Sequence, residues 1–578
     1  MNIVIHQTHH SVADFNNIFK YLDEIEDGGL HIFPELFLTG YPLQDLCLQK
    51  SFIDSYQEFI AKLKVWAIKL PKNIKLLVGG LEYELSETGL PIDIKNRVFE
   101  ISNDKFEAIY TKQLLPNYDI FDEQKYFTAG STPYVWEYQD KKIGILVCED
   151  MWASTFHHKD PVQSLSEYIT TEKVDLDLVI NLSASPYILD KSQKRIERAK
   201  YIARTMNCPF LYTNRIGGED EILFDGQSFV CDGDKVHIQG KRFEADQLHF
   251  KLEEHSYSYK GSTDLEKERT WESLFSARIT KGGELPLLSK WNDDQCQEVC
   301  DALMFGFQEY ATKCGFKNFT VALSGGMDSA LVLTIMRLSL KEGQYLEAIY
   351  MPSIHSSPLS HDLSFDLAKN LAIPLSTLPI KFMHSATKNL FGQTFSQPFE
   401  GLTDENIQSR LRGTLLYTRS NQINSMIVNT SNKSELAVGY STQYGDSVGA
   451  ISMLGDLFKS EVYQLAEYIN KKYENPIPEL IITRPPTAEL RAGQVDSESL
   501  PPYERLDAIL EGILSYRYTK KELIESGFSF EEVTKVIDLY RKTEYKRYQF
   551  CPIIKISSKS FGFGYRVPIS KSSTFYND

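Results

Sequence analysis

The sequence predicts an α/β protein built from two domains. Its length of 578 residues exceeds what one ordinary domain uses. In the first half, short apolar runs rich in β-branched residues, such as 3–5, 76–78, 143–147 and 178–182, alternate with turn clusters and helical stretches. In the second half, strand-like and helix-like segments alternate, which argues for a parallel sheet with helices on both faces.

The elements follow in order. The apolar runs of the first half are only a few residues long, as buried strands are. From 253 to 291 the chain turns polar and charged, yet Tyr, Trp and Phe recur in it, so it is read as a partly packed connector. The expected division is therefore 1–252, connector 253–291, and 292–578. The second half opens with a helix over 293–314. FTVAL then forms a strand, SGGMDS a turn, and 330–340 an apolar helix, before LEAIYM, IPLSTLPI and, after a further helix, SMIVNTS. There is no internal repeat and no low-complexity tract.

Bulk chemistry narrows the function classes. The formal net charge of -16 argues against a uniformly basic surface for nucleic acid or an anionic membrane, but is compatible with a local basic pocket for a phosphate-bearing ligand. Eight scattered cysteines without a CxxC pair fit neither a disulfide scaffold nor a zinc ribbon. Cys296 and Cys300 read as one face of an ordinary helix, and Cys47 and Cys208 as small hydrophobes. No basic leader precedes an apolar stretch, and no apolar run approaches ~18 residues. The expected location is the cytoplasm.

Three segments of the first half bring a strand to an end on a reactive residue. HIFPELFLTGYP does so near Glu35, KIGILVCEDMW at Cys148, and VINLSASPY near Ser183 and Ser185. KQLLPNYDIFDE lies between the first two and carries Lys112 and Glu123. Carboxyl ends of strands are where α/β folds bind ligands. A thiol can attack an amide carbon while a carboxylate takes its proton and later delivers one to the leaving ammonia. A lysine cation favours the thiolate and steadies the oxyanion.

FPELFLTGYP, KQLLPNYDIFDE and VCEDMW together resemble the three signature segments of the nitrilase (carbon–nitrogen hydrolase) superfamily. The resemblance implies a four-layer α–β–β–α sandwich and a Glu35–Lys112–Cys148 triad. For glutamine-using members it further implies Tyr118, Ser185 and Lys191 as substrate contacts and Glu123 as the carboxylate that orients the lysine. Glutaminases with an N-terminal cysteine are set aside because residue 2 is Asn. Those with a glycine-flanked cysteine are set aside because Cys148 stands between Val147 and Glu149.

The second constellation is FTVALSGGMDSALVLT: strand, Gly-rich turn, helix. Gly325 and Gly326 allow close backbone approach, and the amides of the turn and helix N-terminus form an anion cradle. Ser324 and Ser329 add hydroxyls, and Asp328 can hold a hard cation such as Mg²⁺. The segment is not the GxxxxGK[ST] loop. It resembles the pyrophosphate loop of the ATP pyrophosphatases, which cleave ATP between its α and β phosphates. That resemblance implies a doubly wound parallel sheet with the loop after its first strand.

Downstream, NIQSRLR, NTSNKSELAVGYSTQYGD, LFKSEV, RPPTAELRAGQVDSESLPPYERLD and EYKRYQ resemble successive segments of the NAD⁺ synthetases. Carried over residue by residue, this implies Thr430, Lys459 and Thr487 at ATP, Asp328 and Glu435 at Mg²⁺, and Asn406, Arg410, Asp446 and Lys546 at deamido-NAD⁺. Gln443 departs from the lysine of ammonia-only members and receives no role; 381–400 and FGFGYRVPI stay unassigned. Together the resemblances imply a carbon–nitrogen ligase with glutamine as amido donor. Its small-molecule substrates would be L-glutamine, ATP and deamido-NAD⁺, with Mg²⁺ as cofactor, in a homo-oligomer with an enclosed ammonia path.

Overall fold

The computed structural model describes residues 1–26, 28–152, 159–253, 279–282, 285–487, 489–491, 494 and 500–572. The chain divides into two compact units, Met1–Ser276 and Ala277–Asp578. The expected connector 253–291 lies mostly outside the described residues; its hairpin, Ile279–Gly282 paired antiparallel with Leu285–Leu288, belongs to the second unit.

Two six-stranded sheets build the first unit. One runs in the order Asp246–Lys251, Asn2–Gln7, Gly29–Ile32, Ile74–Leu85, Pro91–Ile101, Phe106–Thr111. The other runs Val236–Gln239, Phe229–Cys231, Phe210–Asn214, Leu178–Ser183, Lys141–Val147, Val135–Tyr138. Each has three parallel strands at its centre and antiparallel neighbours outside them.

Side-chain alternation explains the layers. Ile143, Ile145 and Val147 of one sheet join Ile3, Ile5 and Leu77 of the other in a shared core. Leu76 and Val78 face the opposite way, onto the helices Phe15–Asp23 and Lys50–Ala67 through Ile18, Phe52 and Phe59. Leu146 and Val179 likewise meet Leu165 and Ile202, from the helices Pro161–Glu172 and Lys191–Met206. Helices, sheet, sheet, helices: this is the expected four-layer sandwich. Burial on both faces is why its central strands read as continuous apolar runs.

The second unit holds a five-stranded sheet in the order Leu375–Thr377, Tyr345–Tyr350, Asn318–Ala322, Ser425–Asn429, Ile451–Ser452, with every pair parallel. The first strand in sequence is central and its successors lie on either side. The order therefore reverses at its carboxyl end, where α/β sheets bind ligands. SGGMDS sits at that point. The helix after it is Met327–Ser339, starting three residues before the expected 330 because Gly326 caps it directly. A helical core surrounds Leu436, Phe458, Leu506, Ile509, Val533 and Ile537, and Phe561 of the unassigned FGFGYRVPI packs into it. No helix among the described residues is long and apolar enough to cross a membrane.

Candidate active sites

In the first unit, the segments expected to meet do so: Glu35 and Cys148 lie just past the carboxyl ends of the central strands Gly29–Ile32 and Lys141–Val147, and Lys112 follows the edge strand Phe106–Thr111. Lys112 is fully buried and donates to Glu35 Oε1 at 2.7 Å and Glu123 Oε1 at 2.9 Å. Glu35 is fixed from three sides: it also accepts from Asn96 Nδ2 at 2.8 Å and, on Oε2, from the Ala184 amide at 2.9 Å. Tyr41 donates to Glu123 Oε1 at 2.8 Å. Burial, opposed by Lys112, raises the Glu123 carboxyl to about 7. The two carboxylates hold Lys112 charged against its own desolvation.

Cys148 begins the turn after the strand Lys141–Val147 with a left-handed φ of 45°. A non-glycine residue held there is a strained position of the kind found at active sites. Burial and the neighbouring Glu35 carboxylate push its thiol well up, while Lys112 pulls the other way. A thiol so placed stays protonated until a base takes its proton.

The turn is anchored by Asp150, which the sequence reading passed over. Its Oδ1 accepts from the amides of Gln113 at 3.0 Å and Leu114 at 2.8 Å, and its Oδ2 from the Val147 amide at 3.0 Å and Tyr110 Oη at 2.8 Å. One carboxylate thus ties the cysteine turn to the segment that carries Lys112.

The residues expected at substrate lie around this turn. Tyr118 donates to Glu149 Oε1 at 2.9 Å. Lys191 donates to the Pro186 carbonyl at 3.1 Å and sits within electrostatic reach of Cys148 and Glu149. Ser185 is buried, with its amide donating to Asn214 Oδ1 at 2.9 Å. Fully buried Arg195, also passed over, donates to Asp225 at 2.8 and 2.9 Å and to the carbonyls of Ser185 and Pro186, each at 3.0 Å.

The second unit has a cavity of about 240 Å³ beside the central strand. Of the expected residues, Ser324, Asp328, Thr430, Glu435, Asp446 and Thr487 line it. Lys459 stands behind, ion-paired to Asp328 and 3.5 Å from Glu435. Asn432 donates to the other oxygen of Asp328 at 3.1 Å.

Ser329 braces the turn: its Oγ accepts from the Ser324 amide at 3.2 Å and donates to the Gly326 carbonyl at 3.1 Å. Gly325 has φ +77°, and a Cβ there would come 2.5 Å from the Ser360 carbonyl oxygen, so glycine is required on both counts. Gly326 has an ordinary φ of -87°; its expected special freedom is not used, because the turn reverses at its neighbour.

Asn406, Arg410, Asp446 and Lys546 gather on the loop 439–446. Thr442 Oγ1 donates to Asn406 Oδ1 at 2.8 Å and its amide to Asp446 Oδ1 at 2.6 Å. Arg410 donates to the Gln443 carbonyl at 3.2 Å, and Lys546 to the carbonyls of Gly439 and Ser441 at 2.7 and 2.6 Å. Gln443 itself donates to Gln549 Oε1 at 2.9 Å.

Asp328 and Glu435 are two hard oxygen donors at one edge of the cavity. Mg²⁺ is held by one or two carboxylates completed by phosphate and water, so this donor set fits it. No larger cage is built: among the described residues, no three His, Cys, Asp or Glu gather to hold a metal.

Residues 24–247 match the carbon-nitrogen hydrolase family and residues 299–550 match NAD synthase. The glutamine-dependent NAD(+) synthetase of Synechocystis is 36% identical over 546 residues, 93% of this chain and 92% of that one. The chain belongs to the glutamine-dependent NAD(+) synthetase family. A second member, from Thermotoga maritima, is 33% identical over 99% of this chain and 98% of its own. The structure of the Acinetobacter baumannii member in complex with ADP superposes with a TM-score of 0.69 at 29% identity, covering 98% of each chain.

Two further cavity features were not singled out from the sequence of this family member. Arg412, which donates to the Met351 carbonyl at 2.9 Å, lines the cavity, as does Glu489. Both lay within segments quoted for their neighbours, and nothing in the spacing separated them from solvated charges.

Proposed function

We propose that this chain hydrolyses L-glutamine in its first unit and uses the ammonia in its second to amidate deamido-NAD⁺ to NAD⁺ at the expense of ATP. The observation that carries this reading is the buried Lys112 ammonium between Glu35 and Glu123, with Cys148 within its electrostatic reach, in a chain whose second unit gathers Ser324, Asp328 and Glu435 around a cavity.

Glu35 takes the Cys148 proton as the sulfur attacks the glutamine amide carbon, and returns a proton to the departing ammonia. Lys112 steadies the oxyanion and keeps Glu35 aimed. Tyr118, Ser185 and Lys191 bind the amino-acid end of glutamine. Water then attacks the thioester and frees glutamate.

In the second unit the SGGMDS turn and the N-terminus of helix Met327–Ser339 receive the ATP phosphates, with Lys459 offsetting their charge. Thr430 and Thr487 contact the nucleotide. Asp328 and Glu435 would hold Mg²⁺, which supplies charge neutralisation at the leaving pyrophosphate. Asn406, Arg410, Asp446 and Lys546 orient deamido-NAD⁺ so that its nicotinate carboxylate attacks the α-phosphorus. The resulting acyl adenylate is a good acyl donor where the free carboxylate is a poor one; ammonia displaces AMP. Assembly as a homo-oligomer and residence in the cytoplasm belong to the same reading, and eight scattered cysteines without a CxxC pair suit a reducing compartment.

The test is NAD⁺ formation from deamido-NAD⁺, ATP and Mg²⁺, with either glutamine or ammonium, by wild type and Cys148→Ala. The variant is expected to lose glutamine-driven synthesis and keep ammonium-driven synthesis. Equal glutamine-driven rates would remove Cys148 from the mechanism. No NAD⁺ from wild type with either nitrogen source would overturn the dinucleotide assignment.

A further inference from the structure

The Gly325–Gly326 peptide lies in the turn read above as the phosphate cradle, and its two polar ends are held separately. The Gly325 carbonyl accepts from Arg484 Nη2 at 2.8 Å. The Gly326 amide, the other end of the same peptide, donates to Ser324 Oγ at 3.2 Å. In a planar trans peptide the C=O and N–H point in opposite directions, so whatever fixes one fixes the other. Between two glycines such a peptide has wide rotational freedom unless something holds it.

Arg484 is itself held. Its Nη1 donates to Ser360 Oγ at 3.0 Å, and Ser360 Oγ donates in turn to Glu489 Oε1 at 2.6 Å. Glu489 Oε2 accepts from the Ser357 amide at 3.1 Å, which ties this chain of bonds to the cap of helix Pro358–Asn370. Arg484 directly follows the helix Glu479–Thr483 and directly precedes Pro485 and Pro486, whose fixed φ angles restrict the backbone beyond it. The turn is also seated tightly on this support, since a Cβ on Gly325 would collide with the Ser360 backbone.

We propose that Arg484 is a positioning residue: by holding the Gly325 carbonyl it fixes the orientation of the Gly325–Gly326 peptide, whose N–H rests on Ser324 Oγ and is released to the pyrophosphate portion of ATP when that ligand takes the place of the hydroxyl. This rests on the reading of SGGMDS as a phosphate cradle. Arg484 acts through the peptide and does not touch the reacting atoms. A guanidinium near phosphate could instead act by its charge, and the two roles differ in salt dependence, because removing a charge–charge contact flattens the response to screening.

The experiment is calorimetric binding of inorganic pyrophosphate, with Mg²⁺, to the full chain at several salt concentrations. Arg484→Met is expected to weaken binding by about tenfold, the loss of one charged hydrogen bond, with the salt slope of wild type retained. Arg484→Lys, which can still donate to a carbonyl, recovers part of the loss. Ser360→Ala loosens the anchor without removing the guanidinium and is expected to give a smaller loss with the same slope; it stands in if Arg484→Met melts below the assay temperature. Wild-type affinity in Arg484→Met overturns the inference, and so does a weakened affinity with a flattened slope, which would make Arg484 a direct anion contact. Absence of pyrophosphate binding by wild type is a different result: it removes the cradle reading and this inference with it.

Discussion

Lys191 shows how one side chain's surroundings set its chemistry. Burial pulls its ammonium down to about 8, and the Arg195 guanidinium beside it adds to the effect, while Cys148, Glu149 and Asp225 oppose it. Lys191 is therefore charged below pH 8 and neutral above. If it binds the α-carboxylate of glutamine, the KM for glutamine rises as pH climbs through about 8. In Lys191→Arg the charge persists and that rise disappears. The check is glutamine hydrolysis followed from pH 7 to 9.5; a wild-type KM that stays flat would remove Lys191 from the carboxylate site. Arg195, one turn along, cannot lose its charge in this way and plays a different part.

That part belongs to the helix Lys191–Met206. Lys191, Arg195 and Arg198 recur at helical spacing, and Arg195 and Arg198 are buried; Arg198 Nε donates to the Met151 carbonyl at 2.7 Å. The helix thus grips the loop carrying Ser185 and the turn carrying Cys148 through cations as well as through apolar side chains such as Ile196 and Ile202, which pack with Met151. Arg195→Met would leave Asp225 buried without its ion-pair partner and is expected to destabilise the first unit by about 3–5 kcal/mol, read by denaturant unfolding. This is also where sequence reading stopped. The strands were legible because burial on both faces leaves unbroken apolar runs. Glu35 and Cys148 were legible because each lies at or beside the end of such a run, and Lys112 because the segment between them, KQLLPNYDIFDE, is recognisable. Arg195, Asp150 and Arg484 were not, because a charged residue looks the same in sequence whether solvated or buried. What decides is a partner far along the chain: Asp225 for Arg195, Leu114 for Asp150, Gly325 for Arg484. The Gly325 turn fell between, its glycine legible and its support not.

At the scale of the whole molecule, each unit carries buried carboxyls whose protonated form the fold prefers. Burial raises Glu123 to about 7 and Asp150 to about 6 in the first unit, and Asp507 to about 7 in the second. Each folded value lies above the unfolded one, so the folded state binds the proton more tightly. Their contribution is full below about pH 4 and is lost as pH rises through 6 to 7. Self-repulsion from a net charge of -16 grows over the same range. Glu532, held to about 2 by Arg505, works the other way: its contribution is present above about pH 4.5 and is lost only as pH falls toward 2. The balance places the stability maximum near pH 5, with melting temperature falling from there to pH 8. Asp507 isolates the second unit's share. It accepts from Ser434 Oγ at 2.5 Å and the Ser460 amide at 2.9 Å, and Ser434 Oγ in turn accepts from the Lys459 amide at 2.9 Å. Asp507→Asn keeps an acceptor oxygen for this network without an ionisable proton. Calorimetric melts from pH 5 to 8 are expected to show a smaller fall for the variant, confined to the transition of the second unit. An unchanged fall would mean that Asp507 does not ionise on folding's account and that net charge alone sets the slope.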